Sequence, residues 1–490
     1  RVRDDLNVSI NAGYTRSTLW LNANDNNVFS PLINALLATP VVPTQEQREA
    51  SPPPNRFGTG FGYYLDDIKE NLSQQTVDRF IIGAQSHYQP FAWLSVNANV
   101  GMDYFGREDG NTVQPGRLPI STSYVQGFRQ SQRSSNYIWT ANGAAVATYQ
   151  IHEKLGTATT VGASFTREQF ESTYCYGVGI VEGTRSCSAT SSLFDVDEDY
   201  TEVRTIGLYV QEQINWRDRL IVAASVRGDD NSAFGQDFGI ILYPGASVSW
   251  VASEEEFFPK VPGLSNLRLR GSIGQSGQRP GVRDAVTLYG PTAATVGGSE
   301  VSAVRLYSVG NPKLKPERTT EFEAGFDAGL LQDRIALEFT YFQKRSEDAL
   351  ISRPLPPSYG LTGDLTTTGT IYDNLGSIRN WGTEVAVNAR AYSSRHATLN
   401  LRLSASTLEN RIEELGEGIE PIIFNRGNQQ HKEGFATGGF FGRRYRIENP
   451  GQQRVLTPAD LKMVDDTAVF LGPSLPTNSQ SLSADLTLFG

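Results

Sequence analysis

The sequence contains no apolar run that could form a membrane-spanning helix. Such a helix needs roughly 20 consecutive apolar residues, whereas here apolar residues are interrupted throughout and the mean hydropathy is -0.34. This absence removes helical spans from consideration. It leaves a membrane-spanning sheet open, because a strand shows lipid only every second residue and its average hydropathy is unremarkable.

Basic charge and catalytic motifs are also scarce. The formal net charge is -10, and a protein that neutralises nucleic-acid phosphates needs a concentrated basic face. The four histidines, His87, His152, His396 and His431, are scattered without metal-ligand spacing, and neither a Gly-x-Ser-x-Gly elbow nor a phosphate loop occurs. The sequence therefore predicts no nucleic-acid partner, no metal, no cofactor and no enzymatic activity.

What the sequence has instead is repeated alternation of apolar and polar residues. Glycine, tyrosine and phenylalanine number 47, 20 and 24, against only 2 methionines, which favours an all-β fold. Alternation predicts that one face carries Leu94, Val96, Val100, Leu267, Leu269, Leu399 and Leu401, and the other Asn97, Asn99, Arg268 and Arg402. The alternating segments span about 9 to 13 residues, close to one tilted crossing of a bilayer.

Alternation alone fits two architectures, a soluble sandwich and a membrane barrel. A sandwich would bury the apolar face, whereas a barrel would turn it to lipid. Connection lengths favour the barrel, with short turns predicted at residues 88–93, 151–156, 215–220, 330–335 and 393–398. Long excursions are predicted at about 22–74, 105–133, 171–199, 275–315, 346–379 and 410–434. Compact soluble domains rarely contain several long loops, and aromatic residues cluster near the predicted strand ends, as in interfacial girdles.

The two cysteines, Cys175 and Cys187, lie in a segment rich in glycine, serine and threonine. In an exported protein, such a closely spaced pair favours a local disulfide on the extracellular side. An intracellular location would instead make them buried or free thiols.

Several segments, in order, resemble the barrel of SusC/RagA-type TonB-linked outer-membrane transporters. They include "VDRFIIGAQSHYQPFAWLSVNANVGMDYFGR", "LRLRGSIGQSGQRPG" and "NPKLKPERTTEFEAGFDAGLLQDRIALEFTYFQKRSEDAL", whose first residues are similar to the family's "NPxLKPE" lead into a strand. The resemblance spans roughly residues 75–445. Each motif is weak alone, and their order and spacing make the resemblance specific.

The resemblance implies an antiparallel transmembrane β-barrel with long extracellular loops in the outer membrane of a Gram-negative bacterium. We expect residues 1–490 to form about 16 of the family's 22 strands, as part of a longer polypeptide that supplies a plug domain and a TonB box. The implied function is TonB-dependent import of oligosaccharides or peptides. Implied partners are a SusD-type surface lipoprotein, TonB-ExbB-ExbD through the upstream region, and outer-membrane lipid.

Two other functions remain open from the sequence. One is a siderophore or cobalamin type of TonB-dependent receptor, and the other is a secreted β-rich adhesin or carbohydrate-binding protein. In a transporter, aromatic and polar loop side chains would contact the cargo. The candidates are Tyr174, Tyr176, Tyr359, Tyr372, Phe424, Asn425 and Arg426.

Overall fold

The chain folds into two units in the computed structural model. The first comprises Arg1–Pro90, Val96–Gly143 and Ser164–Thr205, and the second Phe91–Ser95, Ala144–Ala163 and Ile206–Gly490. The structure describes residues 3–23, 27, 29–39, 44–50, 58–61, 63–118, 125–234, 239–361, 369–374, 376–416, 418–424, 428–447 and 461–489, without the side chains of residues 65, 354, 357 and 424.

Strands dominate the described residues. In chain order they are β1 (Leu6–Leu21), β2 (Leu72–Phe91), β3 (Leu94–Val113), β4 (Phe128–His152), β5 (Leu155–Ile180), β6 (Thr190–Trp216), β7 (Leu220–Asn231), β8 (Ile241–Val251), β9 (Leu264–Gln278), β10 (Leu288–Val296), β11 (Ser299–Ser308), β12 (Glu317–Leu330), β13 (Ile335–Glu347), β14 (Leu350–Pro354), β15 (Thr370–Asn374), β16 (Ser377–Ser393), β17 (Ala397–Glu414), β18 (Ile422–Phe424), β19 (Gln429–His431), β20 (Gly439–Gly442), β21 (Tyr445–Ile447), β22 (Leu461–Met463), β23 (Val469–Gly472) and β24 (Asn478–Leu488).

The helices are short. They are α1 (Pro31–Leu37), α2 (Gln45–Ala50) and α3 (Leu65–Lys69), with 3-10 turns at Cys187–Ala189, Ala252–Glu254 and Pro357–Tyr359. Within the described ranges, no helix has the length and apolar character to cross a membrane.

Among the residues that the structure describes, neighbouring strands pair into a large antiparallel sheet of 14 strands, in the order β1-β2-β3-β4-β5-β6-β7-β8-β9-β12-β13-β16-β17-β24. The strands follow one another up and down, and the pairs β10-β11 and β14-β15 form separate hairpins within the connections. The sequence predicts about 16 strands.

The five short turns predicted from the sequence are confirmed, since β2-β3, β4-β5, β6-β7, β12-β13 and β16-β17 are joined at those positions. The β6-β7 turn illustrates why such short segments form tight turns. Arg217 and Asp218 adopt left-handed φ values of 55° and 56°, which suit a tight hairpin between twisted strands. Asn215 supports this turn by accepting a hydrogen bond from the backbone N–H of Asp218 over 3.1 Å.

Two of the predicted long loops are wrong. Residues 105–113, 128–133, 171–180 and 190–199 continue the strands, so β4, β5 and β6 reach 25, 26 and 27 residues. A bilayer crossing requires only about 9 to 11 residues, so these strands extend well past it. Pairing with neighbouring strands satisfies the backbone of the extensions, although their glycine-rich and serine-rich composition is typical of loops.

A small apolar core in the first unit packs the connections against these extensions. Phe29 and Tyr63 come from the long segment after β1, and they cluster with Val113, Phe128 and Val178 from the ends of β3, β4 and β5. Ser30 caps α1, accepting a hydrogen bond from the backbone N–H of Ile33, and Pro31 occupies the first turn. The connection is therefore folded onto the sheet.

Candidate functional site: the polar face of the sheet

One face of the second unit's sheet is a continuous apolar surface. Strand register places six residues side by side across adjacent strands: Leu267, Ala328, Leu337, Val387, Leu403 and Leu482. In the next row, the rings of Phe326 and Phe339 stack with centroids 5.6 Å apart. Leu403 and Leu482 are 42% and 73% exposed. A sandwich would bury them, so this face is the one that meets lipid.

The opposite face of the same strands is polar and cross-linked by ion pairs. Arg268 and Arg270 on β9 both contact Asp327 on β12, with N to O distances of 2.5 and 3.3 Å. The Arg270 Nη2 atom also donates to Thr340 Oγ1 on β13 over 2.6 Å. The sequence-based placement of Arg268 opposite the leucines is confirmed, and the guanidinium groups fasten three strands together.

A polar depression of about 480 Å³ lies on this face. Strand register aligns Glu384, Ser406 and Ser479 in one row, and Ser404 with Ser481 in the next. The depression is lined by these residues and by Arg270, Glu323, Glu338 and Thr340. Hydroxyl and carboxylate groups dominate, so the surface can accept and donate hydrogen bonds over a wide area.

The carboxylates of this depression are available to a ligand. Within the described part of the chain, Glu323, Glu338 and Glu384 have neither an ion pair nor a side-chain hydrogen bond. Glu321 lies two residues before Glu323, on the same face of β12. It is 3.1 Å from the Lys344 Nζ atom and is therefore already paired. The three unpaired carboxylates are well suited to accept hydrogen bonds from hydroxyl, amide or ammonium groups.

A second depression of about 420 Å³ continues the polar strip on the same unit. Ser225, Ser247 and Ser272 line it together with Gln211 and Gln275. Glu323 borders both depressions. The polar face is thus an extended track of small hydroxyl and amide side chains rather than a single closed pocket.

Aromatic side chains gather at the end of the strands where the short turns lie. Phe91 stacks on Trp93 at 5.7 Å between ring centroids, and Trp93 stacks on Tyr149 at 5.4 Å. All three are exposed, by 56%, 43% and 45%. Exposed aromatic rings at strand ends are typical of a membrane interface.

Two of the sequence-predicted cargo residues are engaged in packing. The ring of Tyr176 packs between Phe128 and Phe194, with centroid distances of 5.9 and 6.0 Å. The Tyr174 hydroxyl accepts a hydrogen bond from the Gln130 Nε2 atom over 3.1 Å. Cys175, which lies between these two tyrosines in the sequence, forms a disulfide with Cys187.

Two of the remaining cargo candidates, Tyr359 and Tyr372, lie in the second unit and do not line the polar depressions. Tyr359 follows β14 and Tyr372 is in β15, and they are 52% and 39% exposed. The backbone of Phe424 ends β18, but its side chain lies outside the described part of the structure, as do Asn425 and Arg426. These residues stay candidates for cargo contact in the loops.

The serines that line the larger depression are not among the cargo residues predicted from the sequence. Ser404 follows the exposed Leu403 and Ser481 precedes the exposed Leu482, so part of this lining alternates with apolar residues. This period-two signal is present in the sequence. It carries no information about cargo, however, because the solvated face of a soluble sheet shows the same alternation.

A separate small sheet, β18-β19-β20-β23, lies in the connection between β17 and β24. The rings of Phe435, Phe441 and Phe470 pack within it at centroid distances of 5.1 to 5.5 Å, with the Lys432 Nζ atom 5.5 Å from the Phe435 ring centroid. Burial lowers the pKa of His431 in β19 from its usual value. This insert has its own aromatic core.

Comparisons with known proteins agree with this geometry. Residues 3–446 match the family "TonB dependent receptor-like, beta-barrel". The chain is 25% identical over 298 residues to "TonB-dependent receptor P3" of Formosa agariphila, covering 59% of this chain and 29% of that protein. It is 28% identical over 240 residues to "TonB-dependent receptor SusC" of Bacteroides thetaiotaomicron, covering 46% of this chain and 23% of that protein.

A solved structure shares the fold. The RagAB peptide importer in its closed-closed state superposes with a TM-score of 0.80 at 17% identity, covering 99% of this chain and 55% of that chain. The matched segments thus span less than a third of the curated relatives and about half of the structural neighbour.

A sheet with a lipid-facing apolar surface and a hydrated polar surface defines the wall of an outer-membrane β-barrel. The chain belongs to the TonB-dependent receptor family, as part of its barrel domain. The short turns then mark the periplasmic end and the long connections the extracellular end.

Proposed function

We propose that this chain forms the wall of a TonB-dependent importer for oligosaccharides or peptides. The observation that carries the proposal is the track of hydroxyl groups and unpaired carboxylates on the lumen face, represented by Ser404, Ser406 and Glu384. Sugars and peptides present many hydroxyl, amide and ammonium donors to such a surface. The names of the relatives support this class, since one is SusC and another is a peptide importer.

The lumen chemistry suits passage of a polar ligand. Single hydrogen bonds to water-exposed serines are each weak, so a long ligand is held at many points and can be released stepwise. Arg270 is held by both Asp327 and Thr340. It therefore presents a fixed positive charge beside three carboxylates, and this pattern would orient a zwitterionic or polyhydroxylated ligand.

The partners follow from the same proposal. We expect a SusD-type surface lipoprotein to cover the extracellular end and TonB-ExbB-ExbD to act through a plug domain elsewhere in the polypeptide. The support is the similarity to SusC and to a chain of the RagAB importer. Co-purification of a surface lipoprotein with the barrel in mild detergent tests the first partner. Loss of uptake in a host without TonB tests the second.

The experiment uses the complete polypeptide that contains this chain, expressed in a host lacking the gene. Growth is measured with mixed oligosaccharides or mixed peptides as the sole carbon source. The double variant Ser404→Trp with Ser406→Trp should slow growth by filling the lumen depression. Leu403→Trp on the lipid face is the matched control and should leave growth unchanged.

Deletion of the gene also distinguishes the proposed importer from the alternative, a receptor of the siderophore or cobalamin type. If growth on both nutrient classes is unaffected by gene deletion, while uptake of a ferric siderophore or of cobalamin is lost, the importer proposal is wrong. The protein would then be a receptor of the siderophore or cobalamin type.

A further inference from the structure

The outer surface of the first unit contains a cavity that the lumen function does not use. Its volume is about 190 Å³, and Trp20, Gln74, Thr112, Arg129 and Arg185 are among the residues that line it. All of them belong to the first unit. The cavity lies in the strand extensions toward the extracellular end, remote from the turn that joins β2 to β3.

Strand register shows that this cavity opens on the lipid side of the sheet. Trp20 pairs with Gln74, on the same face as the pair Tyr14 and Phe80 farther down the two strands. On β3, Thr112 and Glu108 share the alternation of Val100, which is 55% exposed on the apolar face. Cargo in the lumen would therefore be on the other side of the sheet.

The cavity is built around a buried arginine. The Arg129 side chain is only 10% exposed. Its Nη1 atom donates to Thr112 Oγ1 over 2.9 Å and its Nη2 atom to Ser131 Oγ over 3.3 Å. Its Nε atom is buried without a hydrogen-bond partner, and leaving such a donor unpaired is costly.

Positive charge exceeds negative charge around the cavity. Glu108 is shared, with its Oε1 atom 3.7 Å from Arg129 and 3.3 Å from Arg133. Arg185 also lines the cavity, and it has no ion pair among the residues that the structure describes. Three guanidinium groups thus stand against one carboxylate, an arrangement that suits an oxyanion.

The segment that carries Arg185 is fixed in place. The Cys187 Sγ atom, bonded to Cys175, lies 3.9 Å from the carbonyl oxygen of Arg129. The Gln114 side chain accepts from the Gly183 N–H over 2.8 Å and donates to the Thr184 carbonyl oxygen over 3.0 Å. The backbone at Arg185 is therefore held close to Arg129 before any ligand arrives, which lowers the part of the entropic cost of binding that comes from ordering this loop.

We propose that this cavity binds an anionic group on the saccharide headgroup of an outer-leaflet glycolipid. Arg133 and Arg129 precede Tyr137, an aromatic residue of the lipid-side face that packs on Tyr104 at 4.9 Å between ring centroids. At a rise of about 3.3 Å per residue, they lie about 13 and about 26 Å farther along the strand. Because barrel strands tilt by about 35 to 45°, these distances correspond to roughly 10 and roughly 20 Å above Tyr137 along the membrane normal, in the direction of the saccharide headgroups. Trp20, 61% exposed at the rim, offers a face for sugar stacking.

The test compares glycolipid retention by the complete polypeptide and its variants. The protein is purified in detergent, exchanged into nanodiscs that contain outer-membrane glycolipid and phospholipid, and analysed by native mass spectrometry. Arg185→Gln should lower the retained glycolipid by about tenfold, the loss expected for one charge-assisted contact. Arg16→Gln is the matched control on the same face, since Arg16 is exposed and pairs with Asp78 at 3.8 Å, and retention should stay at the parental level.

Arg129→Gln adds a second measurement, with heat-modifiable migration in gels as the check of barrel folding. Because this arginine is buried, the Arg185 variant decides the matter if Arg129→Gln does not fold. Equal retention by the parent and Arg185→Gln would overturn the proposal. Binding of the deacylated headgroup or of inorganic phosphate as tightly as the intact glycolipid would also overturn it, in favour of a soluble anion.

Discussion

Leu403 and Leu482 lie directly opposite each other in β17 and β24, yet both side chains remain exposed. Their neighbours along the strands, Ser404 and Ser481, are likewise opposite each other and line the lumen depression. A shift of one residue thus changes the environment from lipid to water. This relationship allows a direct test of the orientation.

We expect Leu403→Arg to destabilise the folded barrel by about 2 to 4 kcal/mol, because a cation near the bilayer midplane is poorly solvated. Leu403 follows the start of β17 by six residues, which places it near the middle of the membrane. Ser404→Arg should cost much less, since its side chain enters the hydrated lumen. Equilibrium unfolding in lipid vesicles measures both, and equal losses would contradict the assigned faces.

The faces and the short turns could be predicted from sequence because both arise from local chemistry. Alternation fixes which residues share a face, and turn residues such as Arg217 and Asp218 act over a few positions. The strand extensions could not be predicted in this way. The segment of β5 around Cys175 and the start of β6 are composed like loops, and pairing with distant segments keeps them extended.

The candidate site was predictable only in outline. Alternation places Arg268 and Arg402 on the polar face, but the depression depends on how six strands are aligned. Tyr176 shows the converse, because an aromatic residue in a glycine-rich segment resembles a binding residue and instead packs on Phe128. Neither outcome follows from spacing alone, since register between strands is set by nonlocal pairing.

The disulfide makes a separate prediction. Cys175→Ser should lower the local stability of the segment around Arg185 by roughly 3 kcal/mol, the loop-closure contribution for two cysteines separated by 12 positions in the sequence. Hydrogen exchange should increase at residues 181–189 and stay unchanged in β12 and β13. Serine at both cysteine positions should behave like the single variant. Unchanged exchange at residues 181–189 would show that Gln114 and neighbouring contacts suffice to hold the segment.

Residues 311–316, which lead into β12, hold the β14-β15 hairpin through hydrogen bonds. We call this set of contacts the clip. Leu314 is fully buried, and Asn374 accepts from the Lys315 N–H over 2.9 Å while donating to the carbonyl oxygens of Lys315 and Asp348. Asn374→Ala removes these three hydrogen bonds and should destabilise the hairpin locally by about 2 kcal/mol. Faster proteolysis between β14 and β15 would report it.

The control for the clip is Asp373→Asn. Asp373 accepts from Asn311 Nδ2 and pairs with Arg353, so the conservative change weakens charge while preserving the shape of the hairpin. It should have a smaller effect than Asn374→Ala. If both variants are cleaved at the parental rate, the hairpin does not depend on the clip.

The extracellular insert should loosen in acid through His431. Its Nδ1 atom accepts a hydrogen bond from the Gly438 N–H over 3.1 Å, so the neutral ring is the form that fits. Burial lowers the pKa of His431 in the folded insert, whereas the ring regains its ordinary value of about 6.5 when the insert opens. The opened state therefore takes up a proton first. The stabilisation of the insert by neutral His431 is complete above pH 6.5 and declines as pH falls toward the lowered pKa.

Hydrogen exchange at residues 429–431 and 439–442 of this insert, corrected for intrinsic rates, should become faster as the pH is lowered from 7.5 to 5. His431→Asn keeps an acceptor that does not titrate and should remove this dependence, while a pH response that persists in the variant would assign it to other groups.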